Sequence, residues 1–166
     1  MLEAVRPWLP RDQAALVALN TELQEHERAL RPSRRPGPEM SEAYVAELER
    51  QVAAKGDDAA LFVAEDRDGH VLGFVSCFVD VSVLEQDARE IRIEDVVVAA
   101  PARRQGIGRA LIEAAFAFAR QRDVRRVEIT VISENHDAAA VYLAMGFTPA
   151  RTTLERWLPT LESCQA

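Results

Sequence analysis

Apolar residues recur along this chain in two periods, and the switches between them mark out its elements. Glu3–Pro7 predicts a short strand. Leu16, Leu19 and Leu23 then fall three and four apart, an amphipathic stripe that predicts a helix opening near Pro10, where a helix tolerates proline. The run Arg31–Pro38 holds three prolines and a glycine and cannot continue a helix, so it predicts a loop, with a second helix from Ser41 to about Ala54. Ala59–Glu65 and His70–Val83 are rich in β-branched and aromatic residues and predict two strands, joined into a hairpin by the turn Asp66-Arg67-Asp68-Gly69. Ile91–Val98 predicts a further apolar strand, followed by a glycine-containing turn and an amphipathic helix to about Arg122. Arg126–Ile132 reads as a β-branched strand, and Asn135–Met145 as a short helix capped by Asn135 and stopped by Gly146. Phe147–Leu158 reads as a closing strand.

Length adds that 166 residues suit one domain, large enough to bury roughly 70% of its unfolded surface. The domain expected is 1–166, with 159–166 a loose tail. Cys77 and Cys164 stand far apart, in no metal-ligand or redox spacing, and Cys77 alternates with Val75 and Val79 as a buried small hydrophobe would. No run approaches the roughly 18 apolar residues of a membrane span, and Met1–Asp12 lacks an apolar leader core. These features predict a soluble, cytoplasmic protein without a metal centre.

Charge changes the picture at one place. The net charge is −7, yet residues 101–126 hold seven arginines against only Glu113 and Asp123. An acidic chain repels nucleic acid, while a basic strip upon it suits a small polyanion. Within the strip, Arg103-Arg104-Gln105-Gly106-Ile107-Gly108 follows a strand and opens a helix. The first N–H groups of a helix have no intrahelical partner and sit at the positive end of its dipole, so a phosphate is their natural guest. Gly106 and Gly108 let a diphosphate approach the backbone, and Arg103, Arg104 and Arg109 surround it with charge. A Walker loop would need Lys and then Ser or Thr after a glycine. A dinucleotide fingerprint would need glycine at Leu111, and the antiparallel hairpin upstream argues against a nucleotide-dependent oxidoreductase.

The spacing Arg-x-x-Gly-x-Gly resembles the acetyl-CoA-binding motif of the GNAT superfamily, the GCN5-related N-acetyltransferases. The order of elements is similar to that fold over nearly the whole chain, and a second motif matches: Asn135, then Tyr142, then Gly146-Phe147. Asn135, Ala138 and Tyr142 share one helix face. The resemblance implies an α/β GNAT fold, with a central mixed, largely antiparallel sheet of six to seven strands flanked by about four helices. It implies transfer of acetyl from acetyl-CoA, as cosubstrate, to a primary amine of a small molecule or peptide by direct attack in a ternary complex. By the same resemblance Val96, Val97, Val98, Arg103, Arg104, Gln105, Gly106, Ile107, Gly108, Arg109, Asn135 and Tyr142 form the cofactor site. Val96 and Val98 pair with the pantetheine arm, and an N–H around Val96 or Val97 stabilises the tetrahedral oxyanion. Two departures stand out. Arg104 occupies a position where many relatives have glycine, and only Phe147–Leu158 remains to close a sheet that many relatives close with a pair of strands. A partner subunit completing the sheet would make the protein a homodimer.

An amine of pKa ~10.4 is almost wholly protonated at physiological pH, and only its neutral form attacks a thioester, so a base is needed. Glu94 occupies the position where many relatives carry one. Asp95 is its rival, because strand alternation places the two carboxylates on opposite faces. Tyr142 resembles the family's general acid for the departing thiolate. By the same resemblance the first two helices and the loop between them line the acceptor side; Glu22, Glu25, His26 and Glu27 there read first as a charged, solvated helix face, and as an alternative one of these carboxylates would hold a substrate ammonium. A non-catalytic acyl-CoA-binding module would keep the phosphate loop but could dispense with Glu94 and Tyr142.

Overall fold

A computed structural model of the chain describes residues 1–84 and 89–158. Its elements run β1 (Leu2–Pro7), α1 (Gln13–Leu30), α2 (Gly37–Lys55), β2 (Ala59–Asp66), β3 (Val71–Val81), β4 (Arg89–Val98), α3 (Ile107–Gln121), β5 (Arg126–Ile129) and α4 (His136–Ala144). The five strands form one mixed sheet in sequence order. β1 to β4 pair antiparallel, and β4 and β5 pair in parallel. This is the α/β class expected, with four α-helices.

Strand alternation divides the core in two. One half lies between the sheet and α3, whose Ile107, Leu111, Ile112, Ala115 and Phe118 pack on Val75, Cys77, Ile91 and Ile93. The other lies under α1 and α2, where Leu16, Leu19, Val45 and Leu48 meet Leu61, Val63, Phe74, Phe78 and Val97. Each fully buried aliphatic side chain contributes roughly 1.5–3 kcal/mol. Gly73 on β3 is a packing requirement, since a Cβ there would lie 2.3 Å from the carbonyl oxygen of Val97 on β4. Cys77 is fully buried as expected, and burial pushes its thiol up to about 12, which removes it as a nucleophile.

Helix α1 begins at Gln13 rather than near Pro10 and β3 ends at Val81 rather than Val83, and three further differences from expectation bear on the architecture. Helix α2 begins at Gly37 rather than Ser41, because Pro38 sits in the first turn, where its missing N–H costs nothing. The Gly37 amide donates to the Glu25 carboxylate at 2.7 Å, and a Cβ on Gly37 would stand 2.7 Å from the Thr21 carbonyl oxygen. β5 ends at Ile129 instead of Ile132; its pairing with β4 stops at Ile93–Ile129, and Thr130, Val131 and Ile132 line a cavity instead. Phe147–Leu158 forms no strand, so the sheet has five strands among the described residues rather than six or seven. Leu154, Trp157 and Leu158 remain 90%, 74% and 72% exposed, so this polar segment buries too little to hold an extended edge. The tail expected over 159–166, with Cys164, lies outside the described residues. Among the described residues no helix is long and apolar enough to cross a membrane.

Candidate active site

A β-bulge organises the site. The β3–β4 register runs Cys77 to Ile93 and then Ser76 to Asp95, which leaves Glu94 as the extra residue. The bulge reverses the alternation of β4: Ile91 and Ile93 pack toward α3, whereas Asp95 and Val97 turn toward α1 and α2. Simple alternation, which would have separated Glu94 and Asp95 onto opposite faces, therefore fails here. Both carboxylates line one cavity of about 410 Å³.

The bulge lies where the sheet opens. Asp95 N–H donates to Ser76 Oγ at 3.2 Å and Ala99 N–H to the Leu72 carbonyl at 2.9 Å, both on β3. By alternation the amides of Val96 and Val98 point to the other edge, beyond the last β4–β5 pair. A short extended ligand can pair there as an added strand. Val97 is placed differently from its neighbours: its backbone turns to β3 and its side chain is buried in the core.

The loop after β4 keeps the geometry that its sequence suggests. Gly106, at φ +80°, is the N-cap of α3, and its carbonyl accepts from Ala110 N–H at 3.0 Å, so the amides of Ile107, Gly108 and Arg109 remain unpaired within the helix. Ile107 buries its side chain and offers only its backbone. A Cβ at Gly108 would meet nothing closer than Val98 Cγ2 at 3.7 Å. Arg104 takes φ +61°, a left-handed conformation, which explains why glycine suits that position elsewhere. Arg104 and Arg109 are exposed, and Gln105 donates to the Pro101 carbonyl at 3.2 Å. Arg103 is engaged within the chain, donating to the Val98 carbonyl at 3.0 Å and to Glu22 at 2.6 Å.

The second motif converges on the cavity. Asn135 caps α4, its Oδ1 accepting from Ala138 N–H at 3.2 Å, and Asn135, Ala138 and Tyr142 all line the cavity wall. Tyr142 packs its ring on Phe147, with centroids 5.9 Å apart. Burial, reinforced by the charges of Glu27 and Asp95, raises its phenol to about 12, so it stays protonated and able to donate at physiological pH. Glu94 is 38% exposed and forms an ion pair with Arg92. Asp95 is only 7% exposed; its Oδ2 accepts from Tyr44 Oη at 2.8 Å and Ser76 Oγ at 3.0 Å. Desolvation holds the Asp95 carboxyl above the usual range, against the pull of those two donors.

Of the acidic group on α1, Glu27 alone lines the cavity, ion-paired with Arg34 and raised in pKa chiefly by burial. Glu22 serves Arg103, Glu25 serves the start of α2, and His26 is exposed. Tyr44, Ser76, Arg34 and Arg35 carry no motif and escape a reading of the sequence alone. A tyrosine on the buried Ser41–Val45–Leu48 side of α2 was the available signal for Tyr44, because a buried phenol needs a partner. Away from this site, ligand atoms of Asp66, Asp68 and His70 lie within 4.8 Å of one another, where Asp66 Oδ1 accepts the turn amides of Asp68 and His70 at 3.0 and 2.9 Å.

The chain is similar to streptothricin acetyltransferase of Streptomyces lavendulae, 38% identical over 96 residues, which are 57% of this chain and 48% of that protein. It is also similar to an uncharacterised N-acetyltransferase of Methanocaldococcus jannaschii, 36% identical over 106 residues, 63% of this chain and 45% of that one. The chain thus spans about half the length of the curated relatives it matches. In fold it is similar to a tetramutant of the BH1408 protein of Bacillus halodurans, with TM-score 0.80 at 21% identity over 94% of this chain and 100% of that one. Glucosamine-6-phosphate N-acetyltransferase from Arabidopsis thaliana gives TM-score 0.72 at 17% identity over 96% and 99%. The model of the acetyltransferase (GNAT) family matches residues 20–147, most of the chain, and with the bulged strand, the glycine turn and the Asn135–Tyr142 helix in place, the protein belongs to the GNAT acetyltransferase family.

Proposed function

We propose that this chain is an acetyl-CoA-dependent N-acetyltransferase that moves acetyl to a primary amine by direct attack in a ternary complex. The observation that supports it is the gap between β4 and β5 beyond Ile93 and Ile129, which leaves Val96 and Val98 without a β5 residue opposite them and lets Val96 line the same cavity as Glu94 and Tyr142. Residues of the loop and Asn135 hold the cosubstrate. Glu94, directly or through water, takes a proton from the acceptor ammonium. The freed nitrogen lone pair forms the new C–N bond at the thioester carbonyl, and the Val96 N–H stabilises the oxyanion. When that intermediate collapses and the C–S bond breaks, Tyr142 gives its proton to the departing thiolate, and the second proton of the now acylated nitrogen returns through water to the tyrosinate, which leaves neutral amide, CoA thiol and phenol. The half-exposed setting of Glu94 supports its role, since it can pass the proton to solvent. Asp95, locked by two donors, fits a positioning role. Having Glu94 and Tyr142 on one cavity favours an enzyme over a non-catalytic acyl-CoA-binding module. We further propose that 1–166 acts as one catalytic domain in the cytoplasm, and as a homodimer.

The test is direct. Acetyl-CoA at millimolar concentration raises the melting temperature, since a ligand of the native state stabilises it by mass action. An amine panel then releases CoA thiol. Gly108→Val removes the thermal shift while the protein stays folded, because the branch occupies space beside Val98 that the diphosphate needs. Absence of any shift in a well-folded sample overturns both the enzyme and the binding-module readings.

A further inference from the structure

Three carboxylates face the cavity, and each already has a partner within the chain. Glu94 pairs with Arg92, Glu27 with Arg34, and Asp95 accepts from Tyr44 and Ser76. Two guanidinium groups line the same cavity, those of Arg34 and Arg35, both on the loop between α1 and α2. Arg34 Nε is buried without a hydrogen-bond partner, and Arg35 has neither an ion pair nor a hydrogen bond among the described residues. Arg35, exposed on the cavity wall, is therefore the one charged lining group without a partner among the described residues, although the chain as a whole is acidic.

A guanidinium is matched by a planar or tetrahedral oxyanion, which it binds through two parallel N–H donors. Arg35 is not part of the phosphate cradle, because none of the residues 103–109 lines this cavity. An amine acceptor must bring its nitrogen to Glu94 and Tyr142, so Arg35 meets another part of the same molecule. We propose that the acceptor is a small amine that also carries an anionic group, a carboxylate or a phosphate, and that Arg35 binds this group with help from Arg34 Nε. A polycation is disfavoured, since its further ammonium groups would meet the unpaired Arg35 guanidinium. This proposal rests on the cavity being the acceptor site of the acetyl transfer.

Matched pairs test it: an amino acid against its decarboxylated amine, and a phosphorylated amino sugar against the free sugar. Each is titrated calorimetrically into the full chain with CoA present, and CoA release is followed in parallel with acetyl-CoA. The anionic member of at least one pair is expected to bind tenfold or more tightly, and the pair that shows it separates carboxylate from phosphate. Arg35→Ala collapses that ratio to near one, and Arg35→Lys keeps part of it. Equal or better binding of the members that lack the anionic group, a ratio that survives Arg35→Ala, or no binding by any member overturns the proposal. An Arg35-dependent ratio with no acetyl-CoA binding and no thiol release instead overturns acetyl transfer and leaves the anion site standing.

Discussion

The Tyr44 hydroxyl donates a 2.8 Å hydrogen bond to the Asp95 carboxylate, and this contact ties α2 to the bulge of β4. Ser76 donates to the same oxygen, so β4, its neighbour β3 and α2 meet at one buried carboxyl group. The bulge exposes Glu94 to the cavity, and the Tyr44–Asp95–Ser76 chain fixes the residue beside it.

That buried carboxyl group gives stability a pH dependence of definite sign. Asp95 has its folded pKa raised, chiefly by desolvation, so its ionised form costs stability once pH passes the unfolded value, and the cost grows until pH passes the folded one. Asp95→Asn can still accept from Tyr44 and Ser76 without that cost. The variant is expected to gain on the wild type as pH rises from about 4. Denaturant melts of both proteins across pH 4–9 measure it, and parallel curves would mean that Asp95 is fully compensated where it lies.

Kinetics separates the roles of Glu94 and Tyr142. Glu94→Gln is expected to lower kcat about 100-fold or more and to flatten the rising limb of the pH–rate profile, with acetyl-CoA affinity unchanged. Asp95→Asn should do less; the reverse order would make Asp95 the base. Tyr142→Phe should lower kcat by a similar factor. With its pKa near 12, Tyr142 contributes no falling limb below about pH 11 in the wild type.

Much of this architecture was legible in the sequence because the signals were local. Asn135 and Gly146 bracket α4 as cap and stop, and the Asp66–Gly69 turn joins β2 to β3. The bulge was not legible: Ile91, Ile93 and Val97 keep one parity of apolar positions through Asp95, and nothing in that pattern marks the frame shift at Glu94. Arg34 and Arg35 sit in a proline-rich loop whose course is set by tertiary contacts, chiefly the Glu27–Arg34 pair and the seat of Gly37 against Thr21. The closing strand failed for a global reason, since an edge strand needs an edge and a core to cover, which local propensity does not report.

A second pH effect has the opposite sign. Arg6 donates to both oxygens of the buried Asp12, at 2.7 and 3.0 Å, and its Nε reaches Glu65 at 2.9 Å, which pins the start of α1 to β1 and β2. These bonds lower the Asp12 pKa below its ordinary 3.8, so the stabilisation is complete above that value and is lost as pH falls through the folded one. Asp12→Ala leaves Arg6 partly unpaired and is expected to cost about 3 kcal/mol, or roughly 6–12 °C in Tm, at pH 7. At pH 2 the difference should shrink, and thermal melts at both values check it.

Gly73→Ala is expected to destabilise by about 1–3 kcal/mol, since the added methyl group meets the Val97 carbonyl and the β3–β4 ladder must shift to admit it. The shift would reach Val96 and Val98, so acetyl-CoA affinity should fall with stability. Chemical denaturation and acetyl-CoA titration of the same variant read both effects, and loss of neither would show that the strands part without cost.

The assembly prediction follows from the outer edge of β5, which pairs with β4 on one side and with no strand on the other among the described residues. Beside that edge lies a groove of about 720 Å³ lined by Phe116, Val127, Met145 and Phe147, while Leu154 and Trp157 stand exposed a few residues further on. An open edge next to a groove that mixes these apolar side chains with Arg120, Asp123, Arg125, Arg126 and Glu128 is a template for a strand from another chain, and a two-fold exchange of residues 151–158 would fill both grooves at once. Light scattering at tens of micromolar is therefore expected to give twice the 18.5 kDa chain mass. The double substitution Leu154→Ser and Trp157→Ser should halve it, because it removes the side chains that would enter the partner's groove. A monodisperse wild-type monomer would refute the exchange.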